Sequence, residues 1–291
     1  MSGWVFEVCT VNSQDFSKNP VVVSVGIPTF NRPDGLRRTL ECITGQTYKN
    51  LEIIVSDNCS PGMDTEAVVQ EFMERDSRIQ CYRQETNKGA VYNFQFVLEK
   101  ATGKYFMWAA DDDIHEREFI SSLVEPLENV SEIMGAMCST ARIDESENFI
   151  DVVRFSDVSN PIAASYHMEM TYFYHGIFRT DKLRKFQENT LDFYGKDLMV
   201  VCEMILASKL IWINRVLFKK GLNRQRAESF FEEDPFCWIK MFFNFPINLL
   251  NSKNIKAIDK LYIFPMTGVF GIWVAKLYVG HLISAATGRP R

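Results

Sequence analysis

Short apolar runs alternate with helix-length amphipathic segments from residue 21 to residue 140, and this alternation restricts the fold more than any other feature of the chain. Residues 21–27 are rich in β-branched side chains and are bounded by Pro20 and Pro28, which marks a buried strand. Pro33 opens a helix reaching about residue 44, because proline suits the first helical turn. Further strands are predicted over 51–55, 79–83, 104–110 and 133–140. Helices are predicted over 64–75 with Asp64 as its cap, over 90–101 ahead of Gly103, and over 116–129. Strands separated by such helices form βαβ units and a parallel sheet with right-handed crossovers.

The strand over 104–110 runs directly into Asp111, Asp112 and Asp113. Three adjacent carboxylates repel one another, and folding alone gives no reason to collect them there. A divalent cation such as Mg²⁺ or Mn²⁺ does, because it takes hard oxygen ligands and bridges carboxylates to diphosphate. A solvated acidic loop capping the next helix explains the same spacing equally well. The upstream strand ends carry Thr29 and Asn31, then Asp57 and Asn58, so three strand ends place polar groups along one edge of the sheet. In open α/β sheets that edge is where ligands bind.

The net charge of −5 argues against a general nucleic-acid binder. Residues 245–291 are basic, with Lys253, Lys256, Lys260, Lys276, Arg289 and Arg291 against Asp259 alone. Aromatic side chains crowd in from residue 235, and residues 261–275 carry no formal charge. A spanning helix needs about twenty apolar residues, so this stretch suits an interfacial helix better than a membrane span. Packing on the core or an oligomer contact through this segment are the other readings. The seven cysteines include no CxxC pair and read as reduced thiols in the cytoplasm, and a zinc site is not expected. Residues 1–19 read as a loosely attached leader without a secretory pattern.

Four blocks occur in order: Val-Ser-Val-Gly-Ile-Pro-Thr-Phe-Asn-Arg over 23–32, Leu-Glu-Ile-Ile-Val-Ser-Asp-Asn-Cys-Ser over 51–60, Asn-Lys-Gly over 87–89, and Gly-Lys-Tyr-Phe-Met-Trp-Ala-Ala-Asp-Asp-Asp over 103–113. Together they resemble the family 2 inverting glycosyltransferases of GT-A fold. The resemblance implies a Rossmann-like α/β domain with a mostly parallel sheet flanked by helices, here followed by a helical apolar extension over 235–291. Residues 20–115 then form the nucleotide-sugar donor half and 116–234 the acceptor half of one domain. By position, Pro28, Thr29, Phe30, Asn31 and Arg32 lie where the family cradles the nucleotide. Asp57 matches the acid that bonds the base, and Asn87 and Gly89 match a turn beside the donor. Asp111 matches the ribose contact and Asp112 the metal ligand, with Asp113 as a further metal or sugar contact. Ala110 stands where the family pattern has its first acid.

The resemblance implies a nucleoside-diphosphate sugar donor (a UDP-sugar favoured), Mn²⁺ or Mg²⁺ as cofactor, and a glycan or lipid-linked acceptor in surface-polysaccharide assembly. The catalytic base is expected at Asp197, where Lys196 replaces the family's usual Glu, with Glu203 as the alternative. His175 and Arg179 resemble an acceptor-side segment, and Arg224 and Arg226 lie in a charged loop. The basic apolar tail adds a peripheral place on the inner face of the cell membrane. A sugar-1-phosphate nucleotidyltransferase would need a glycine-rich phosphate loop after the first strand, where this chain has Pro-Thr-Phe-Asn-Arg. The departures at Ala110 and Lys196 keep a second reading open, a catalytically weakened nucleotide-sugar-binding scaffold at the membrane.

Overall fold

The computed structural model describes residues 21–111, 113–144, 146–154, 168–188, 196–221, 237–265, 267–268 and 271–272. Its first half is the predicted parallel unit. Strands β1 (Val23–Thr29), β2 (Leu51–Asp57), β3 (Ile79–Arg83) and β4 (Tyr105–Trp108) lie in the order β3-β2-β1-β4, all parallel. Helices α1 (Pro33–Thr44), α2 (Asp64–Arg75) and α3 (Ala90–Lys100) connect them. The order reverses direction at β1, so the crevice of a doubly wound sheet opens beyond the carboxyl ends of β1 and β4.

The second half extends the same sheet with mixed directions. After β4 the chain turns through the acid cluster into a three-residue strand, β5 (Asp113–His115), and then helix α4 (Phe119–Asn129). Strands β6 (Ile133–Ile143), β7 (Phe149–Val153), β8 (Ile177–Arg179) and β9 (Lys209–Gly221) complete nine described strands. Strand β8 is antiparallel to both β4 and β6, β9 is parallel to β6, and β5 is antiparallel to β9. The sheet is therefore less parallel than the sequence pattern suggests. A 3-10 helix (Met168–His175), α5 (Thr180–Glu188) and α6 (Lys196–Ala207) pack on it. Trp108, Tyr105, Phe106, Phe119, Phe178 and Phe218 are the largest enclosed side chains, so the core follows the sheet across both halves.

Two local expectations change. Asp64 is the first residue of α2 and makes no capping bond, since Met63 occupies the cap; its charge favours the helix amino terminus instead. Residues 149–153, where no strand was predicted, form the edge strand β7. Helix α7 (Cys237–Asn251) follows the charged loop and lies against α6, with Phe245 and Leu249 buried. Among the described residues no helix is long and apolar enough to cross a membrane. Arg224, Arg226 and the leader over 1–19 lie outside the described residues.

Candidate active site

The strand register lines up the site. Thr29 is the partner of Asp57 across β1 and β2, and Asp57 is the partner of Arg83 across β2 and β3. Trp108 is level with Gly26, so Asp111, three residues on, emerges level with Thr29. The Thr29 hydroxyl donates to Asp111 Oδ2 at 2.9 Å, and Arg32 Nη1 donates to Asp111 Oδ1 at 2.9 Å. Backbone packing fixes the same point. A Cβ on Gly35 would lie 2.1 Å from the Asp111 carbonyl oxygen, so only glycine lets α1 come this close. Thr39 holds the Ala110 carbonyl at 3.1 Å.

The β2 end is bonded as densely. Asp57 Oδ1 accepts from the Ser60 amide at 3.0 Å and from its hydroxyl, and Asp57 Oδ2 accepts from Arg83 Nη1 at 2.9 Å. Arg83 also donates to the Ser60 carbonyl. The Asn31 amide donates to Ser60 Oγ at 2.7 Å, joining the loops that follow β1 and β2. Both loops contain a non-glycine residue at positive φ, Asn31 at 53° and Cys59 at 64°. Such residues are uncommon and cluster at ligand-binding turns. Asn58 donates to Asn87 Oδ1 at 2.8 Å and to the Gly89 carbonyl at 3.2 Å, and accepts from the Lys88 amide. Gly89 has φ 85° and ψ 164°, a conformation essentially reserved for glycine, so the turn over 87–89 is locked beside the β2 end. Pro28 is buried, while Phe30 is 41% exposed at the crevice mouth.

Beyond Asp111 the chain crosses to the other half. Asp113 pairs with Lys220 in the β5–β9 ladder, and its side chain is 0% exposed. Lys220 Nζ lies 2.9 Å from Asp113 Oδ1, and His175 Nδ1 lies 3.2 Å from Oδ2. His175 stacks on Phe218, and His115 packs against Phe119 and the same Phe218. Burial, with the Lys220 charge added, pushes His115 down to about 3, so its imidazole is neutral and acts as an aromatic wedge.

Trp108 and Tyr174 stack at 4.2 Å with planes 5° apart, which ties the β4 end to the 3-10 helix. Asp197, exposed in the first turn of α6, faces this stack. Burial raises the Tyr174 hydroxyl, and the Asp197 carboxylate raises it further. Cys202, one turn on, is pushed up to about 12 by burial and then by Asp197. Helix α6, with Asp197 in its first turn, packs against the 3-10 helix that ends at His175.

Two other candidates sit elsewhere. Arg179 donates to the Ile133 carbonyl at 2.8 Å and to those of Leu127 and Val130, with its guanidinium over the Tyr105 ring. It braces the start of β6, away from the acid cluster, where the sequence suggested an acceptor contact. Glu203 is buried between α6 and α7, accepting from Asn254 at 2.9 Å and from Ser252. Arg83 and Lys220 belong to the site's framework without having been singled out for it, whereas Asn58 stood out as a polar residue at a strand end. Arg83 carried the available signal, a polar group at a fourth strand end.

The acid cluster fits a divalent ion in one way only. Asp111 is paired with Arg32, and Asp113 is enclosed by Lys220 and His175, so both charges are already met. Asp112 lies outside the described residues. Among the described residues no three His, Cys, Asp or Glu side chains are grouped to hold a metal. The described residues by themselves form no all-protein cage. A Mg²⁺-type site, with one or two carboxylates and the rest of the shell from substrate phosphate and water, is compatible with them.

Comparison with known proteins addresses the family and the fold. The family model "Glycosyl transferase family 2" matches residues 24–205. Glycosyltransferase GlyG of Streptococcus pneumoniae is 25% identical over 224 residues, 72% of each chain. The UDP-Glc:alpha-D-GlcNAc-diphosphoundecaprenol beta-1,3-glucosyltransferase WfaP of Escherichia coli is 34% identical over 107 residues, 37% of this chain and 41% of that protein. A GalNAc(5)-diNAcBac-PP-undecaprenol beta-1,3-glucosyltransferase of Campylobacter jejuni is 39% identical over 92 residues, 31% of this chain. That match spans only 29% of the Campylobacter protein. Among solved structures, the mannosyltransferase PcManGT of Pyrobaculum calidifontis, in complex with GDP-Man and Mn2+, superposes with a TM-score of 0.63. It is 15% identical, over 95% of this chain and 78% of that one. TarS 1-349 of S. aureus in complex with UDP superposes with a TM-score of 0.59 at 16% identity, over 83% of this chain and 69% of that one. The fold is that of the GT-A transferases, and with its family model covering residues 24–205 the chain belongs to glycosyl transferase family 2.

Proposed function

We propose that the protein transfers a sugar, with inversion, from a nucleoside-diphosphate sugar to an acceptor hydroxyl in the assembly of a lipid-linked glycan or surface polysaccharide. The observation that carries this reading is the row of polar side chains where β1 to β4 end, in which Asp111 accepts from Thr29 and Arg32 and Asp57 accepts from Arg83. A UDP-sugar is the favoured donor, because TarS has been solved with UDP and with UDP-GlcNAc. The lipid-linked acceptor follows the relatives named for undecaprenol-linked substrates. The site of action is then the cytoplasmic face of the cell membrane.

In this reading Asp57, held by Ser60 and Arg83, accepts from the base, and the turns at 28–32 and 87–89 enclose the nucleotide. Asp111, fixed by Thr29 and Arg32, accepts from the ribose hydroxyls. Asp112 is the residue that would hold Mn²⁺ or Mg²⁺, which when bound stabilises charge on the departing diphosphate. Asp113 braces the turn rather than the ion. The acceptor hydroxyl attacks the anomeric carbon from the face opposite the diphosphate, and Asp197 takes its proton. One displacement inverts the configuration. His175, packed beside Asp113, keeps the acceptor side of the crevice in place.

Asp197→Asn tests the assignment. Turnover of UDP-sugar with a diphosphoundecaprenol-linked acceptor falls by about 10²–10⁴-fold, the usual range for a general base, while UDP affinity stays unchanged. Full turnover in this variant would remove Asp197 from the mechanism. Ala110 and Lys196, non-acidic where the family is acidic, motivate the scaffold reading. Under it the wild-type protein binds UDP but transfers no sugar.

A further inference from the structure

Helix α7 is apolar on two faces. Phe245 and Leu249 point into the core, while Phe243, Ile247 and Leu250, spaced four and three residues apart, are 60%, 50% and 38% exposed. In the stretch that follows, Ile258, Leu261, Phe264 and Ile272 are exposed as well. Seven of the fifteen large hydrophobic side chains exposed among the described residues fall between 243 and 272. Scattered single residues of this kind are ordinary, but a contiguous group marks an interaction surface.

The rim of this face is basic. Lys253 and Lys256 are exposed, and Lys260 Nζ lies against the Leu250 carbonyl at 2.5 Å. A cavity of about 410 Å³ adjoins it where β6 and β9 begin, at the opposite end of the sheet from Asp111. Lys182, Lys185, Lys209 and Lys256 line that cavity, against Glu132 and Asp259. An apolar face rimmed by lysines complements an anionic bilayer, whose surface attracts each basic side chain while its hydrocarbon boundary takes the apolar ones. A second copy fits less well, since a two-fold contact would set two basic rims against each other.

We propose that α7 and residues 253–264 form a docking surface for anionic phospholipid, with the phosphate headgroup received by the lysine-lined cavity. The proposal does not rest on the reaction assigned above.

The experiment is co-sedimentation of the whole chain with phosphatidylcholine vesicles, with and without phosphatidylglycerol, alongside light scattering of the free protein. Binding is expected only where phosphatidylglycerol is present. Lys253→Glu with Lys256→Glu weakens it by at least about tenfold. Phe243→Ser with Ile247→Ser and Phe264→Ser, all at exposed positions, leaves weak binding that added salt removes. Absence of sedimentation with phosphatidylglycerol vesicles overturns the proposal. So does equal binding to both vesicle types, or a dimer that only the serine variant abolishes while vesicle binding is absent. UDP affinity, measured in parallel, stays unchanged in both variants, which separates this surface from the donor site.

Discussion

Replacing Lys220 by Met isolates the buried charge behind the acid cluster. Asp113 has a side chain that is 0% exposed, and Lys220 Nζ, 2.9 Å away with a side chain 19% exposed, is its nearest cation. Removing one member of a buried pair strands the other charge and costs about 3–5 kcal/mol. Lys220 retains some contact with water, so the lower end, about 3 kcal/mol, is the expected loss. For a domain of this size about 1 kcal/mol moves Tm by about 2–4 °C, which puts the decrease near 6–12 °C. His175, 3.2 Å from the same carboxylate, limits the loss when it is protonated. The control is Lys220→Met with Asp113→Asn, which removes both charges together and recovers most of the stability, because neutral replacement of a buried pair is often tolerated. Thermal unfolding followed by circular dichroism reads all three proteins. A single variant within about 1 kcal/mol of wild type, or a double variant no better than the single, would refute the argument.

Other perturbations give separable outcomes. Gly35→Ala puts a Cβ 2.1 Å from the Asp111 carbonyl, so α1 or the acid turn must shift; UDP affinity falls at least about tenfold while the fold survives, read by calorimetry and circular dichroism. Glu203→Gln tests pH dependence. Burial raises the Glu203 carboxyl above its ordinary value, so the folded state holds the proton more readily than the unfolded state, and stability is lost as pH rises through the raised value. The Gln variant lacks this loss, and its Tm advantage over wild type grows as pH rises above the ordinary carboxyl range. Turnover in Glu203→Gln stays near wild type, since the side chain is bonded to Ser252 and Asn254 and is not at the crevice.

The parallel half of the fold was legible because β1, β2 and β4 are buried on both faces and its helices carry strong punctuation. Helix α1 begins at Pro33 and ends before Gly45 as the sequence indicates, and α2 and β3 keep their expected bounds. The second half was harder for physical reasons. Strands β5 and β8 have three residues each, too few for any periodicity to register. Strand β7 is an edge whose Phe149 and Ile150 face solvent, so its pattern does not mark a buried face. In β9, Asn214 and Arg215 interrupt the apolar run, so no single strand pattern spans it.

The site divides the same way. Thr29, Asp57 and Asp111 were visible as polar residues at strand ends, and strand register sets them level. What the sequence could not convey is which carboxylate already has a partner. Asp113 looked equivalent to its neighbours until the β5–β9 pairing set Lys220 against it. Arg179 resembled an acceptor-side residue until the end of α4 and the start of β6 supplied three carbonyls to it. Such pairings join residues distant in sequence, and no local pattern encodes them.

The central claim is that the row of side chains at the β1 to β4 ends receives a nucleoside diphosphate. Isothermal titration of UDP with Mn²⁺ into the wild-type protein, Asp57→Asn and Asp111→Asn tests it directly. The account predicts saturable binding to wild type and a loss of at least about tenfold, or 1.4 kcal/mol, in each variant. Equal affinity in all three proteins, or no binding of UDP or of any other nucleoside diphosphate to wild type, would contradict it.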